Sequence, residues 1–312
     1  MKKSLKNTLE KMEGYNAVLM GYCIDQPGIA RSITDFIYNS QGNIKSDQTK
    51  TILEYVKNTK KIKDSYFVFR YDLDFENIKK IRLDMNKNFE EVSKKFDMKY
   101  SLSFTDNVKN IALFVTKEQH CLKDVLSKVY QRKLNVKIPV IISNRQSSDG
   151  IDLKRLSKIY GFEYFYFPID KSNKKQQEIK EAKIMKENNI DLIVLAKYRQ
   201  ILTKTFLDMF KNKVINVHDS RLPRYPGAFA HLQAYSAGAK SVGATTHFVS
   251  PELDQGPIID EEWEKVSGLE DLDGFINKGH EMECLVLSRT IDNYINNNIL
   301  LINDKKVVIF NK

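Results

Sequence analysis

Hydrophobic and polar positions along the chain follow two different rhythms, with a change near residue 105. Before that point, residues 15–23 (YNAVLMGYC) read as a strand and Asp25-Gln26-Pro27-Gly28 as a turn. Ile29, Ile33, Phe36 and Ile37 then recur at helical spacing. Gly42 is the expected closing residue of that helix. Strands over 43–54 and 65–73, a helix around 75–95 and a strand over 98–105 complete a ferredoxin-like βαββαβ order. From Lys109 onward, short continuous apolar runs alternate with helical patterns. Strands are expected over 110–116, 136–143, 162–167, 191–196 and 213–217, and helices to about 131, near 151–160, over 174–188 and near 204–210. Such βα repetition implies a mostly parallel sheet covered on both faces, whose ligand crevice lies outside the carboxyl ends of the strands. Strands over 241–249 and 257–266, a helix over 270–297 and a hairpin turning at Asn303-Asp304 end the chain. The fold class is therefore α/β in two domains, 1–106 and 107–312.

Composition changes this picture little. With 42% hydrophobic and 29% charged residues, the 312-residue chain is that of an ordinary globular protein able to bury two cores. The net charge of +10 is shared about equally by the first hundred residues and the rest, with no basic arm. That argues against nucleic acid and suits a small anionic substrate. Cys23, Cys121 and Cys284 stand apart, with no CxxC pair, so they read as reduced thiols of a cytoplasmic protein. The opening MKKSLKNTLEKMEG has no apolar run of a signal peptide, and no apolar stretch is long enough to span a bilayer.

Candidate chemistry sits at INVHDSRLPRYPGA, 215–228. Alternate residues of a strand share a face, so Asn216 and His218 belong together at a strand's carboxyl end. A carboxamide can donate to a developing oxyanion, and an imidazole can move protons near neutral pH. Asp254, before the Gly256-Pro257 turn, offers a carboxylate to orient the histidine or activate a nucleophile. The alternative reading is structural: Asn and His near turns cap backbone groups, and Asp before Gly is a common turn residue. His218, His231, His247 and Asp254 lack any short metal-ligand spacing, so no metal is expected. There is no nucleophile elbow and no Walker A loop.

Three blocks carry a resemblance. Asn216-x-His218-x-Ser220-x-Leu222-Pro223 with Gly227, then Gly243-Ala244-Thr245-x-His247-Phe248-Val249, then Leu253-Asp254-x-Gly256-Pro257-Ile258-Ile259 resemble the signature of formyltetrahydrofolate-dependent formyltransferases. VTKEQHCLKDVL (115–126) and LAKYRQIL (195–202) are similar to the formyltetrahydrofolate deformylase branch. DQPGIARSITDFIYNSQGNI (25–44) resembles an ACT domain, which that branch carries. The resemblance implies an ACT-like domain followed by a Rossmann-like formyltransferase domain, and hydrolysis of 10-formyltetrahydrofolate to tetrahydrofolate and formate without a cofactor. Asn216 would hold the formyl oxygen, His218 would act as general acid/base, and Asp254 would position water and tune His218. Folate would lie along Lys197, Arg199, Ile201 and Leu202, with His247 and Val249 on the facing strand. An amino-acid effector such as glycine or methionine would bind near Asp25, Gly28 and Asn43, and a homo-oligomer is expected.

Some residues depart from the pattern. Asp219 and Arg221 stand where the family usually has His or Pro and an apolar residue, and Gln200 stands where Arg is favoured, beside Arg199. RYPGAFAHLQAY (224–235) looks more like glycinamide ribonucleotide formyltransferase, which keeps an amine acceptor open as an alternative to water. Against it, the turn Thr116–Cys121 has no glycine and contains Glu118, a poor phosphate cradle. A third reading is an amino-acid sensor with a vestigial enzyme domain, which the intact Asn216, His218 and Asp254 disfavour.

Overall fold

The computed structural model describes residues 16–76, 78–146 and 152–310. The opening segment read for a signal peptide, Tyr15 at the head of the first expected strand, and residue 151 at the head of the expected 151–160 helix lie outside these. The chain forms two compact units, 1–107 with 310–312, and 108–309.

The first unit contains β1 (Ala17–Ile24), α1 (Ile29–Asn39), β2 (Gly42–Tyr55), β3 (Ile62–Phe75), α2 (Ile78–Lys95) and β4 (Lys99–Phe104). Its antiparallel sheet has the order β2-β3-β1-β4. Helix α1 forms as its spacing predicts, burying Ile29, Ile33, Phe36 and Ile37 against Leu19, Phe69, Leu73 and Phe89. β2 and β3 run longer than expected, because they pair as a fourteen-residue ribbon in which most of β2 is exposed. The end of α1 also differs. Gln41, at φ 56°, takes the left-handed position expected of Gly42, which already belongs to β2. Gly42 answers a different need: a Cβ there would stand 2.4 Å from the Phe75 ring and 3.1 Å from Ile37. Gly42→Ala is therefore expected to lower the stability of this unit by about 1–3 kcal/mol through overpacking. Urea unfolding checks it; an unchanged midpoint would mean that Phe75 moves freely.

The expected effector group is not one site within a chain. The amide of Asp25 bonds to Ser65, whereas Asn43 pairs with Asp74, nine positions further along β3 and so about 30 Å away. The length of α1, which joins Gly28 to the start of β2, is what separates them. Asp25 instead accepts a hydrogen bond from Thr51.

The second unit holds β5 (Asn110–Val115), α3 (His120–Tyr130), β6 (Lys137–Ser143), α4 (Leu153–Tyr160), β7 (Glu163–Tyr166), α5 (Lys174–Glu187), β8 (Leu192–Leu195), α6 (Lys204–Met209), β9 (Val214–His218), α7 (Ala230–Ser236), β10 (Ser241–Phe248), β11 (Ile258–Lys265) and α8 (Leu272–Ile295). A hairpin of β12 (Ile299–Ile302) and β13 (Lys306–Ile309) follows, joined through Asn303, Asp304 and Lys305, with φ positive at Asn303 and Asp304. The seven-stranded sheet has the order β11-β10-β9-β8-β5-β6-β7. Strands β5 to β9 are parallel, and β10 and β11 are antiparallel additions at one edge. Two clusters fill its faces, one around Leu113, Ile141, Val194, Ile215, Leu287 and Ile291, the other around Phe114, Ile142, Ile193, Met185 and Phe206. The chain leaves β5 toward β6 and β7, then returns to β8 on the other side of β5. The switch point of the sheet thus lies between β5 and β8, where the connections diverge and open a crevice. Helix α7 is the one element the sequence pattern does not announce; it follows directly on the Pro/Gly loop.

Candidate active site

The carboxyl ends of β8 and β9 and the edge of β10 line a cavity of about 290 Å³. Every residue expected to act on or hold a folate borders it: Asn216, His218, Asp254, Lys197, Arg199, Ile201, Leu202, His247 and Val249. Asn216 and His218 face it from alternate positions of β9, and β10 pairs with β9 so that His247 stands opposite Asn216. A bulge between Thr246 and His247 shifts the β10–β11 register at that level. Thr245, opposite His218, fixes the loop beyond β9 by donating to the Ser220 carbonyl and accepting from the Leu222 amide.

Hydrogen bonds orient each polar group. The Phe248 carbonyl lies 2.9 Å from His247 Nδ1, so that nitrogen carries the proton and Nε2 accepts from Asn216 Nδ2 at 3.2 Å. Burial holds His247 below the usual imidazole range, which keeps Nε2 an acceptor. The second amide hydrogen of Asn216 is left for the cavity. His218 Nε2 donates to the Tyr225 carbonyl at 3.0 Å, which turns Nδ1 toward Asp254 Oδ2 at 3.4 Å and Asp219 Oδ1 at 3.7 Å. Asp254 also accepts from the Gly227 amide at 2.9 Å and stands 3.7 Å from His247 Nε2. Its loop doubles back so tightly that a Cβ on Gly256 would overlap the Phe248 carbonyl at 1.6 Å. That approach is the reason for glycine two residues after Asp254. A carboxamide donor, an imidazole and a carboxylate thus converge on one small buried volume. This is the constellation required to polarise a carbonyl-type carbon and manage the proton of an attacking water.

Beneath the cavity lies a group of residues that was not evident as a site in the sequence. Lys197 Nζ is 3.0 Å from Glu283, 3.3 Å from Asp219 and 3.8 Å from Glu118, with its side chain almost wholly buried. Its ammonium is therefore committed to carboxylates, while Arg199 pairs with Glu118 at 2.9 Å and Asp219 at 3.6 Å. Glu283 also takes hydrogen bonds from His120 at 2.8 Å and His231 at 2.9 Å, and His280 stacks on His120. Burial alone would push the Asp219 and Glu283 carboxyls up, but the Lys197 ammonium holds Asp219 below its usual range and Glu283 well below. The sequence signal for this group is Gly279 and Glu283, four apart on the buried face of α8. A Cβ on Gly279 would fall 2.2 Å from the His231 ring. The sets His120, His280, Glu283 and Asp219, His231, Glu283 are close enough to hold a cation, yet the Lys197 ammonium already pairs with both carboxylates.

The group is expected to make the fold acid-sensitive. Burial, reinforced by the charge of His120, pushes His280 down to about 4. Below the unfolded value of about 6.5, the unfolded chain gains a proton that the folded one refuses. This contribution is present above pH 6.5 and is lost as pH falls toward 4. The melting temperature is expected to fall over that window, and less steeply in His280→Gln; equal slopes would remove His280 from the account.

Comparison with known proteins places these features in context. The family described as formyl transferase matches residues 109–291. A formyltetrahydrofolate deformylase of Synechocystis sp. is 35% identical over 297 residues, covering 95% of this chain and 99% of its own length. One from Bacillus subtilis is 31% identical, covering 94% and 93%. Among solved structures, a formyltetrahydrofolate deformylase from Pseudomonas syringae superposes with a TM-score of 0.83 at 26% identity over 99% of both chains. A glycinamide ribonucleotide transformylase from Symbiobacterium toebii shares the fold over 68% of this chain, with a TM-score of 0.61 at 23% identity.

Proposed function

The chain belongs to the formyl transferase family and, within it, to the formyltetrahydrofolate deformylases, and from that premise we propose that its cavity hydrolyses 10-formyltetrahydrofolate to tetrahydrofolate and formate. The observation that carries the reading is the convergence of Asn216, His218 and Asp254 on one cavity. Water adds to the formyl carbon while Asp254, beside His218 Nδ1, accepts its proton. The free hydrogen of Asn216 Nδ2 meets the oxyanion, and His247 holds that amide in place from the opposite strand. Collapse breaks the bond between the formyl carbon and N10, and N10 takes a proton by way of His218. Leu195, Ile201, Leu202 and Val249 supply the apolar wall for the folate, with Arg199 at its edge. No cofactor enters these steps.

The amine-acceptor alternative is not favoured. The turn after β5, where an acceptor phosphate would need free amides, is occupied by Arg199, whose amide donates to Thr116 and whose guanidinium clamps Glu118. We read the N-terminal unit as an ACT-like oligomerising module, supported by its strand order and the long exposed edge of β2. With its effector residues apart in one chain, an amino-acid site requires a second copy; a melting shift with glycine or methionine, absent at monomer dilution, would support it. Cytoplasmic residence agrees with three free cysteines. Among the described residues, no helix is long and apolar enough to cross a membrane. The test of function is formate release from 10-formyltetrahydrofolate by the purified protein without an amine. Steady turnover supports the hydrolase; silence until an amine is added would overturn it.

A further inference from the structure

Lys197 follows β8 at the switch point of the sheet with its side chain only 2% exposed, and it is held in an unfavourable backbone conformation. Lys197 adopts φ 65°, in the left-handed region that costs an L-residue about 1–2 kcal/mol and that glycine occupies freely. Such strain persists where the surroundings impose it. Here they do so from three elements: Glu118 after β5, Asp219 after β9 and Glu283 on α8 all point at the one ammonium. The lysine lines the same cavity as Asn216, His218 and Asp254, and Asp219 connects it to His218. A glycine would relieve the strain and enlarge the cavity that Asn216, His218 and Asp254 line, at the place where open α/β sheets receive ligands.

We propose that Lys197 is a specificity-determining plug, which fills the switch-point crevice and leaves room beside the formyl carbon for water but not for an amine. The inference rests on the hydrolase reading and deepens it, since it says why water is the acceptor. With the plug removed, a primary amine would add to the formyl carbon, the bond to N10 would break, N10 would take the proton lost by the amine, and an N-formyl amine would leave in place of formate.

The test is the partition between N-formyl product and formate, measured by mass spectrometry with 10-formyltetrahydrofolate and glycinamide or methylamine over a range of concentrations. The wild-type protein is expected to release formate alone. Lys197→Gly and Lys197→Ala are expected to give N-formyl product at about tenfold or more above the detection limit at which the wild type gives none, the scale at which pocket volume discriminates. Lys197→Met, which keeps the volume without the charge, should still give only formate. Should burial of Asp219 and Glu283 without the ammonium prevent folding, the double variant Lys197→Ala/Glu283→Gln removes one charge of each sign and leaves Asp219 its contact with Arg199. N-formyl product from the wild type overturns the plug, as does formate alone from folded Gly or Ala variants, or an equal rise in Lys197→Met. Failure of the wild type to release formate at all would instead overturn the hydrolase reading.

Discussion

Asp254→Asn is expected to lower the turnover number for formate release by about 10³-fold or more, on the scale seen when a carboxylate that orients a catalytic histidine becomes an amide. The substitution changes little else. Asparagine tolerates the left-handed φ of 55° at this position almost as well as aspartate, so the backbone has no reason to move. Its side-chain oxygen can still accept from the Gly227 amide, so the loop stays attached. What disappears is the negative charge 3.4 Å from His218 Nδ1, on a carboxylate that also stands 3.7 Å from His247 Nε2. Substrate affinity should change little, because the apolar wall that would hold the folate lies on the segment 195–202 and on Val249. The check is a kinetic comparison at saturating substrate with thermal melting as the control for folding. Activity within tenfold of the wild type would mean that another group handles the proton of water.

Asn216→Ala is expected to cost about 10²–10³ in turnover, the range measured for loss of one oxyanion donor at other acyl-transfer sites. The effect belongs to the transition state, so the Michaelis constant should hold while the turnover number falls. His247→Leu should reproduce part of the loss: it leaves Asn216 in place but removes the acceptor at 3.2 Å that orients its amide. If His247→Leu were as damaging as Asn216→Ala, His247 would be reacting with the substrate rather than positioning Asn216. If Asn216→Ala were nearly silent, the oxyanion would be held by a backbone group instead.

The parts of this site that could be read along the chain are those that depend on local alternation. Asn216 and His218 interrupt an otherwise apolar strand with period two, and their shared face follows from strand geometry alone. Asp254 is a further strand away: its turn offers a carboxylate but no link to the pair, and its role beside them follows from the resemblance, because nothing local ties a turn after β10 to the end of β9. The Lys197 group was hidden for the same reason. Its members come from the turn after β5, the start of α3, the loops after β8 and β9, helix α7 and helix α8, and only the sheet order brings them together. Glu283, an acid on the buried face of α8, is the signal that could point to it. Helix α7 escaped because its seven residues carry too little periodicity to stand out after a Pro/Gly loop. Gly42 shows the limit of turn rules: its place in the chain suggests a cap, while the space around it answers to the Phe75 ring.

The cross-strand pairing of Asn216 with His247 ties chemistry to register. Side chains alternate along a strand, so a slip of one position between β9 and β10 would turn His247 away from the cavity and release the amide it holds. The two strands are antiparallel neighbours joined across a connection that includes α7, so their register is set only when that connection has closed. During refolding, secondary structure can therefore return before the oxyanion donor is set. Recovery of formate release then times the locking of β10 onto β9 in register, and the reaction itself becomes the probe of that pairing.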